Sequence, residues 1–99
     1  MISKEQLWRN ILENEGVEFT TKRGLAFTYK VEGGSIRPIR KGQGINRVIP
    51  KTDFEKGIKA MPINGPGDIG NLVQGSSYVW ALLHDKRIVS DSVFISSGR

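Results

Sequence analysis

The sequence predicts an α+β domain in which a mostly antiparallel sheet of about three to five strands packs against about three helices. Three stretches carry this prediction. A capped amphipathic segment follows Ser3, an alternating hairpin surrounds Gly33-Gly34, and an uninterrupted apolar run covers residues 78–83. A chain of 99 residues is long enough for one domain, so we assign residues 1–99 to a single domain.

The first predicted helix covers residues 4–15. Ser3 and Gln6 have the spacing of a capping box, in which each side chain bonds the other's backbone N–H. Gly16 is typical of a left-handed helix end. One face of the segment is apolar and holds Leu7, Trp8, Ile11 and Leu12.

Alternating apolar residues predict the strands that follow. Residues 17–21 predict a short strand, and residues 25–32 predict a longer one with a polar outer face. Gly33-Gly34 predicts a two-residue hairpin turn, because both positions can take a positive φ. Pro38 in the return strand predicts an edge or an end, since proline cannot donate to a sheet. Residues 45–49 alternate again and favour a further strand.

A second helix is predicted to begin at Thr52, with Glu55 completing a second capping box. Pro62 ends this helix. We expect Gly57 to weaken it by about 1 kcal/mol relative to alanine. Residues 62–75 predict a long loop, a kind of segment that is usually functional or held down by its own apolar residues.

Residues 76–84 predict a central helix, because a helix that is apolar on every side belongs in the interior. Ser76 or Ser77 would cap its start. A buried strand remains the alternative, since periodicity alone cannot assign a short apolar run. Residues 88–95 predict a final strand before a frayed end.

Positive charge is concentrated in the middle of the chain, and this is the main functional signal. Residues 22–51 carry a net charge of +7, whereas residues 1–21 carry −2 and residues 52–99 balance. Lysine and arginine side chains neutralise phosphates and release counterions, so the segment favours a non-enzymatic nucleic-acid-binding function, with DNA preferred. The predicted phosphate contacts are Lys22, Arg23, Arg37, Arg40, Lys41 and Arg47, and the predicted base contacts are Gln43 and Asn46.

Three alternatives remain open. The basic segment is also compatible with an ordinary solvated surface. The chain is also compatible with a small protein–protein module, a homodimer among the options, that hides apolar surface around Phe94 or the 62–75 loop. Residues 65–70 match the G-x-G-x-x-G pattern, which would hold an anionic small molecule. The usual strand before the pattern is absent, and Pro66 stiffens the loop, so a structural role is favoured there.

Composition excludes several classes of site. The chain has no cysteine and only His84 as an imidazole, which excludes disulfides and thiolate metal sites and argues against a metal centre. We find no catalytic motif, and therefore expect no enzymatic activity and no cofactor. Without an apolar run of about 18 residues or a secretory signal at the amino end, we expect a cytoplasmic protein without a membrane segment.

The pattern resembles known proteins in outline. Its marks are Leu7-Trp8 in the first helix, Gly24-Leu25-Ala26-Phe27-Thr28-Tyr29 in the hairpin, and the late run from Gly75 to Leu83. It is similar to small uncharacterised proteins carried by bacterial mobile elements, of the integron gene-cassette type. The helix–hairpin–helix layout more loosely resembles accessory modules of restriction and modification enzymes. Both resemblances imply a DNA-associated role, and neither supplies matched functional residues.

Overall fold

The computed structural model describes residues 2–73 and 75–89 and confirms the α+β class. One helix precedes the strands of an antiparallel sheet along the chain, and the remaining helices follow them. The elements are α1 (Lys4–Glu13), β1 (Phe19–Thr20), β2 (Ala26–Glu32), β3 (Ser35–Arg40), β4 (Gln43–Gly44), β5 (Ile49–Pro50), α2 (Lys51–Lys59), a short 3-10 helix (Pro66–Ile69) and α3 (Ser76–Leu83).

The sheet is antiparallel throughout, with β2 and β3 at its centre. Gly33-Gly34 joins them as predicted, and Thr28 pairs with Ile39 at the far end of the ladder. β1 flanks β2, while β4 and β5 both pair with the other side of β3. Phe27 and Tyr29 are buried beneath the helices, and the alternate side chains of β2 face solvent. One face of the sheet therefore builds the core and the other stays open.

Pro38 lies inside the sheet, so the prediction that it marks an edge or an end is wrong. Its carbonyl accepts from Ile45 N (2.9 Å), so its missing N–H also points towards the edge strand. β4 and β5 together form the edge of the sheet beside β3. Between the pairs Ile39–Gly44 and Ile36–Ile49, two residues of β3 lie opposite four residues of this edge, residues 45–48. The edge strand bulges at the position where proline has no donor to offer.

The α1 helix is two residues shorter at its end than predicted, and only half of its capping box forms. Gln6 N donates to Ser3 Oγ (3.1 Å), but the Gln6 side chain donates to Asn10 Oδ1 (2.8 Å) instead of returning to the cap. Asn10 in turn donates to the Ile88 carbonyl (2.8 Å). Instead of completing the cap, the Gln6 side chain joins a series of two hydrogen bonds that links α1 to residues 85–89.

The second capping box is absent. The α2 helix begins at Lys51 with Pro50 as its N-cap, and no side chain caps it. Lys51 N donates to the Gly34 carbonyl (2.9 Å), and the chain passes directly from β5 into the helix. Thr52 therefore lies inside the first turn of the helix and not at its N-cap. Gly57 is buried where α2 meets α3.

The central helix is confirmed, and the strand alternative is wrong. Gly75, in the left-handed region (φ 61°), is its N-cap, so neither predicted serine caps it. Val79, Leu82 and Leu83 are fully buried, whereas Tyr78 is partly exposed. In the preceding loop, Ile63, Ile69 and Val73 are buried and Leu72 is exposed. The loop is thus held down by its own apolar residues.

The start of the predicted final strand is wrong, because Ile88 and Val89 lie in a buried turn. The rest of that strand, with Phe94, lies outside the described residues. Within residues 2–73 and 75–89, no helix has both the length and the apolar composition needed to cross a bilayer.

Candidate nucleic-acid interface

Two turns at one end of the sheet carry several of the predicted cations. The β1–β2 turn covers residues 21–25, and the β3–β4 turn is Lys41-Gly42. Because β2 starts where β3 ends, both turns project from the end opposite Gly33-Gly34. We call the exposed or half-exposed cations Arg23, Arg40 and Lys41 the basic rim. Within the described residues, none of the three side chains is paired with a carboxylate.

The β3–β4 turn has an unusual backbone for the residue that it carries. Lys41 (φ 54°) and Gly42 (φ 78°) both lie in the left-handed region, which defines a type I′ hairpin. A left-handed conformation costs an ordinary side chain about 1–2 kcal/mol, and it is tolerated best by glycine, asparagine and aspartate. A lysine is thus held at the tip of the hairpin, where its ammonium group meets solvent.

Gln43 belongs to the same hairpin tip. It is exposed and pairs directly with Arg40 across the hairpin. Directly opposite residues of antiparallel strands point to the same face, with Cβ atoms about 4.5–5.5 Å apart. The tip therefore presents a guanidinium and an amide side by side.

Lys22 lies in the neighbouring turn but is held by its own chain. Its ammonium donates to the Asn64 carbonyl (2.6 Å) and lies 5.7 Å from the centroid of the Trp80 ring. The ammonium also lies against Gly65, where a Cβ would come within 3.0 Å of it. Lys22 therefore ties the 62–75 loop to the sheet.

Arg37, the third member of the predicted set, lies on the open face of the sheet in a closed network. Its Nε donates to Glu32 Oε2 (2.8 Å), and its two terminal nitrogens donate to Glu32 Oε1 (3.1 Å) and to the Ile45 carbonyl (2.8 Å). These hydrogen bonds from the guanidinium hold the pKa of the Glu32 carboxyl below its ordinary value. Arg37 is thus neutralised by an acid and braces the bulge of the edge strand.

The remaining predicted residues, Asn46 and Arg47, are exposed within that bulge. They lie beside the middle of β3, whereas the basic rim lies at its end. The structure therefore divides the eight predicted residues into three groups. Arg23, Arg40, Lys41 and Gln43 lie at the same end of the sheet, in or next to its turns. Asn46 and Arg47 lie on the bulge, and Lys22 and Arg37 are engaged in internal contacts.

A shallow groove of about 450 Å³ runs along the open face of the sheet beside the rim. Thr28 and Ile39 form part of its floor, Lys41 lies on one side, and Glu18 brings a carboxylate to the same groove. The negative charge of Glu18 therefore offsets part of the positive charge of Lys41 within this groove.

The other surface depressions are less suited to an anion. Between α1 and α2, a groove of about 510 Å³ is lined by both Lys4 and Lys51 and by both Glu5 and Glu55, so its charges oppose one another. In the glycine-rich loop, Asp68 Oδ2 accepts from Asn64 N (2.8 Å). The carboxylate of Asp68 thus accepts a backbone N–H of this loop itself, and its negative charge would repel a phosphate there.

The aromatic side chains on the inner face of the sheet belong to the core. Phe27 stacks edge-on against Tyr78, with ring centroids 4.9 Å apart, and Tyr29 donates its hydroxyl to the Ile11 carbonyl. His84 lies stacked on Trp80, with centroids 4.4 Å apart. Within the described part of the chain, no three acidic or histidine side chains come together as a metal site would require.

The anchoring of Lys22 and Arg37 was missed by sequence reasoning. Glu32 precedes the Gly33-Gly34 turn and Arg37 follows it, so the hairpin register makes them diagonal neighbours on one face. That signal was present in the sequence. The contact of Lys22 with residue 64 joins segments 42 positions apart and left no local signal.

Comparisons with known proteins add no further constraint. No protein-family model, no curated protein and no solved structure matches the chain.

Proposed function

We propose that this protein is a non-enzymatic nucleic-acid-binding module that holds the phosphate backbone of DNA with its basic rim. One observation carries the proposal. Arg23, Arg40 and Lys41 lie in or next to two turns at the same end of the sheet and have no carboxylate partner within the described residues. Several unpaired cations on one small surface are the electrostatic footprint of phosphate binding.

The backbone of Lys41 favours this function over an ordinary solvated surface. A solvated turn gains nothing from a lysine in the left-handed region, where asparagine or glycine would be more stable. A cation held there against a conformational cost is the kind of outlier from which a functional hypothesis properly starts. The resemblance to proteins of mobile elements points in the same direction and remains a prediction.

The two other candidate functions have less support. The protein–protein alternative relied on apolar surface around Phe94 or the 62–75 loop. Phe94 lies outside the described residues. In the loop, Ile63, Ile69 and Val73 are buried, whereas Leu72 is exposed. The anion-binding alternative is opposed by the carboxylate of Asp68 within the glycine-rich loop.

Titration of a labelled DNA duplex at several salt concentrations tests the proposal. If three cations each contact a phosphate, the logarithm of the affinity should fall against the logarithm of salt concentration with a slope of about −2.7. Arg23→Gln and Lys41→Gln should each reduce that slope by about one, because each removes one phosphate contact.

Lys56→Gln is the matched control. Lys56 is exposed on α2, and its removal changes the net charge by the same amount. An equal loss of affinity for Lys56→Gln and Lys41→Gln would contradict the proposed location, and an absence of duplex binding at low salt would contradict the function. Thermal melts of each variant establish that it remains folded.

A further inference from the structure

The hairpin tip carries a side-chain pair suited to reading base edges. Arg40 and Gln43 close the type I′ turn and leave the same face of the hairpin. Gln43 is exposed and Arg40 is half-exposed, and within residues 2–73 and 75–89 neither side chain forms a hydrogen bond or an ion pair. Gly42 and Gly44 flank Gln43, so no bulky neighbour widens the tip on either side.

A two-stranded ribbon with such a tip fits the major groove of B-form DNA. That groove is about 12 Å wide and admits either a helix or a two-stranded ribbon. Paired strands lie about 4.7–4.9 Å apart, which leaves room for the side chains of the ribbon. Arginine bonds guanine at O6 and N7, and glutamine bonds adenine at N6 and N7, each through two hydrogen bonds.

We propose that Arg40 and Gln43 contact neighbouring base edges in the major groove of duplex DNA, while Lys41 and Arg23 hold the phosphates beside them. The inference rests on the proposed function and adds the ligand form and the source of sequence preference to it. Arg40 moves from a phosphate contact to a base contact, so two phosphate contacts remain and the salt slope expected under this inference is about −1.8 instead of about −2.7. Asn46 is excluded from base contact, because it lies on the bulge and not in the closing pair.

Selection from a duplex library with randomised positions, followed by affinity measurements, tests the proposal. The wild-type protein should enrich a guanine and an adenine at a fixed short spacing. Gln43→Ala should reduce the preference for adenine by about tenfold or more and leave the preference for guanine unchanged. Gln43→Glu should change the preferred base from adenine to cytosine, because a carboxylate accepts from cytosine N4.

Two controls separate this inference from the proposed function. Asn46→Ala, a change at an exposed side chain on the same edge of the sheet, should leave the selected sequence unchanged. An RNA duplex of the selected sequence should bind no more tightly than an RNA duplex of unrelated sequence, since side chains cannot enter the deep, narrow major groove of A-form RNA.

Each outcome is decisive. Binding to all duplexes with equal affinity, together with a steep salt dependence, would overturn base contact by this pair and leave the phosphate-binding function standing. Absence of any duplex binding would overturn both. A shift of preference in Asn46→Ala but not in Gln43→Ala would transfer base contact to the bulge and overturn the assignment to the hairpin tip.

Discussion

Replacing Gly57 by alanine measures how closely α2 approaches α3. A Cβ at this position would lie 2.6 Å from Leu83 Cδ1 and 3.1 Å from Val79 Cγ1, whereas carbon atoms in contact normally stay about 3.5–4.0 Å apart. Both neighbours are fully buried, so neither side chain can swing into solvent. Alanine gains about 1 kcal/mol of helix propensity, and overpacking a core costs about 1–3 kcal/mol. We therefore expect Gly57→Ala to lower the free energy of unfolding by up to about 2 kcal/mol.

Urea denaturation of wild type and variant provides the measurement, with Lys56→Ala as the control on the exposed side of the same helix. The control should stay within about 0.5 kcal/mol of wild type. Combining Gly57→Ala with Leu83→Ala should cost less than the sum of the two, because the new methyl group fills part of the cavity left by leucine. A Gly57→Ala protein that is more stable than wild type by about 1 kcal/mol would refute the close approach, since propensity alone would then govern the position.

Three further predictions concern the turn, the core and the carboxyl-terminal part of the described chain. Lys41→Asn should raise the melting temperature slightly, because asparagine tolerates the left-handed region, while the salt dependence of duplex binding falls by about one phosphate contact; a loss of both stability and binding would contradict the strain at this turn. Tyr29→Phe should cost about 1 kcal/mol through loss of the buried hydroxyl bond. Burial raises the pKa of Tyr29 above its ordinary value, so only the unfolded chain releases this proton as the pH passes about 10. Stability should then fall with rising pH, by at most about 1.4 kcal/mol per pH unit, and less steeply in Tyr29→Phe; equal pH profiles in urea denaturation would argue against the burial. Asn10→Ala removes the bond to the Ile88 carbonyl, and amide hydrogen exchange should become faster in residues 85–89 but not in β2; unchanged exchange there would show that other contacts, such as the bond from Arg87 to the Glu18 carbonyl (3.0 Å), hold the segment without it.

Local patterns predicted the elements whose structure depends on neighbouring residues. The two glycines at 33 and 34 specified the central hairpin, and the apolar spacing of α1 specified its buried face. The apolar run of α3 also gave the right type of element. In each case the residues that indicate the element lie within about ten positions of one another, and the interactions that form the element join those same residues.

Predictions failed where a distant segment decides the outcome. Gly57 was expected only to weaken a helix, but its missing side chain is what allows α3 to pack against α2. Gly75 replaces a serine cap for a similar reason, because a Cβ there would lie 2.7 Å from Ile49 Cδ1. Pro38 was assigned to an edge because the compensating bulge lies on another strand. No local pattern contains such contacts.

In the candidate site too, contacts between strands decide the outcome, and strand geometry explains why Arg37 is paired with an acid. A residue inside a strand has directly opposed and diagonal neighbours within reach of a long side chain, so a cation there can find an acid, as Arg37 finds Glu32. A residue at a hairpin tip has cross-strand neighbours on one side only. Lys41 lies in the turn itself, and the other turn residue, Gly42, has no side chain. Charge density along the sequence counts every cation in residues 22–51 equally, so it could not separate the paired Arg37 from the cations without a carboxylate partner. Arg23, Arg40 and Lys41 lie at or next to the turns, where fewer neighbouring side chains are within reach, and none of them is paired with a carboxylate within the described residues.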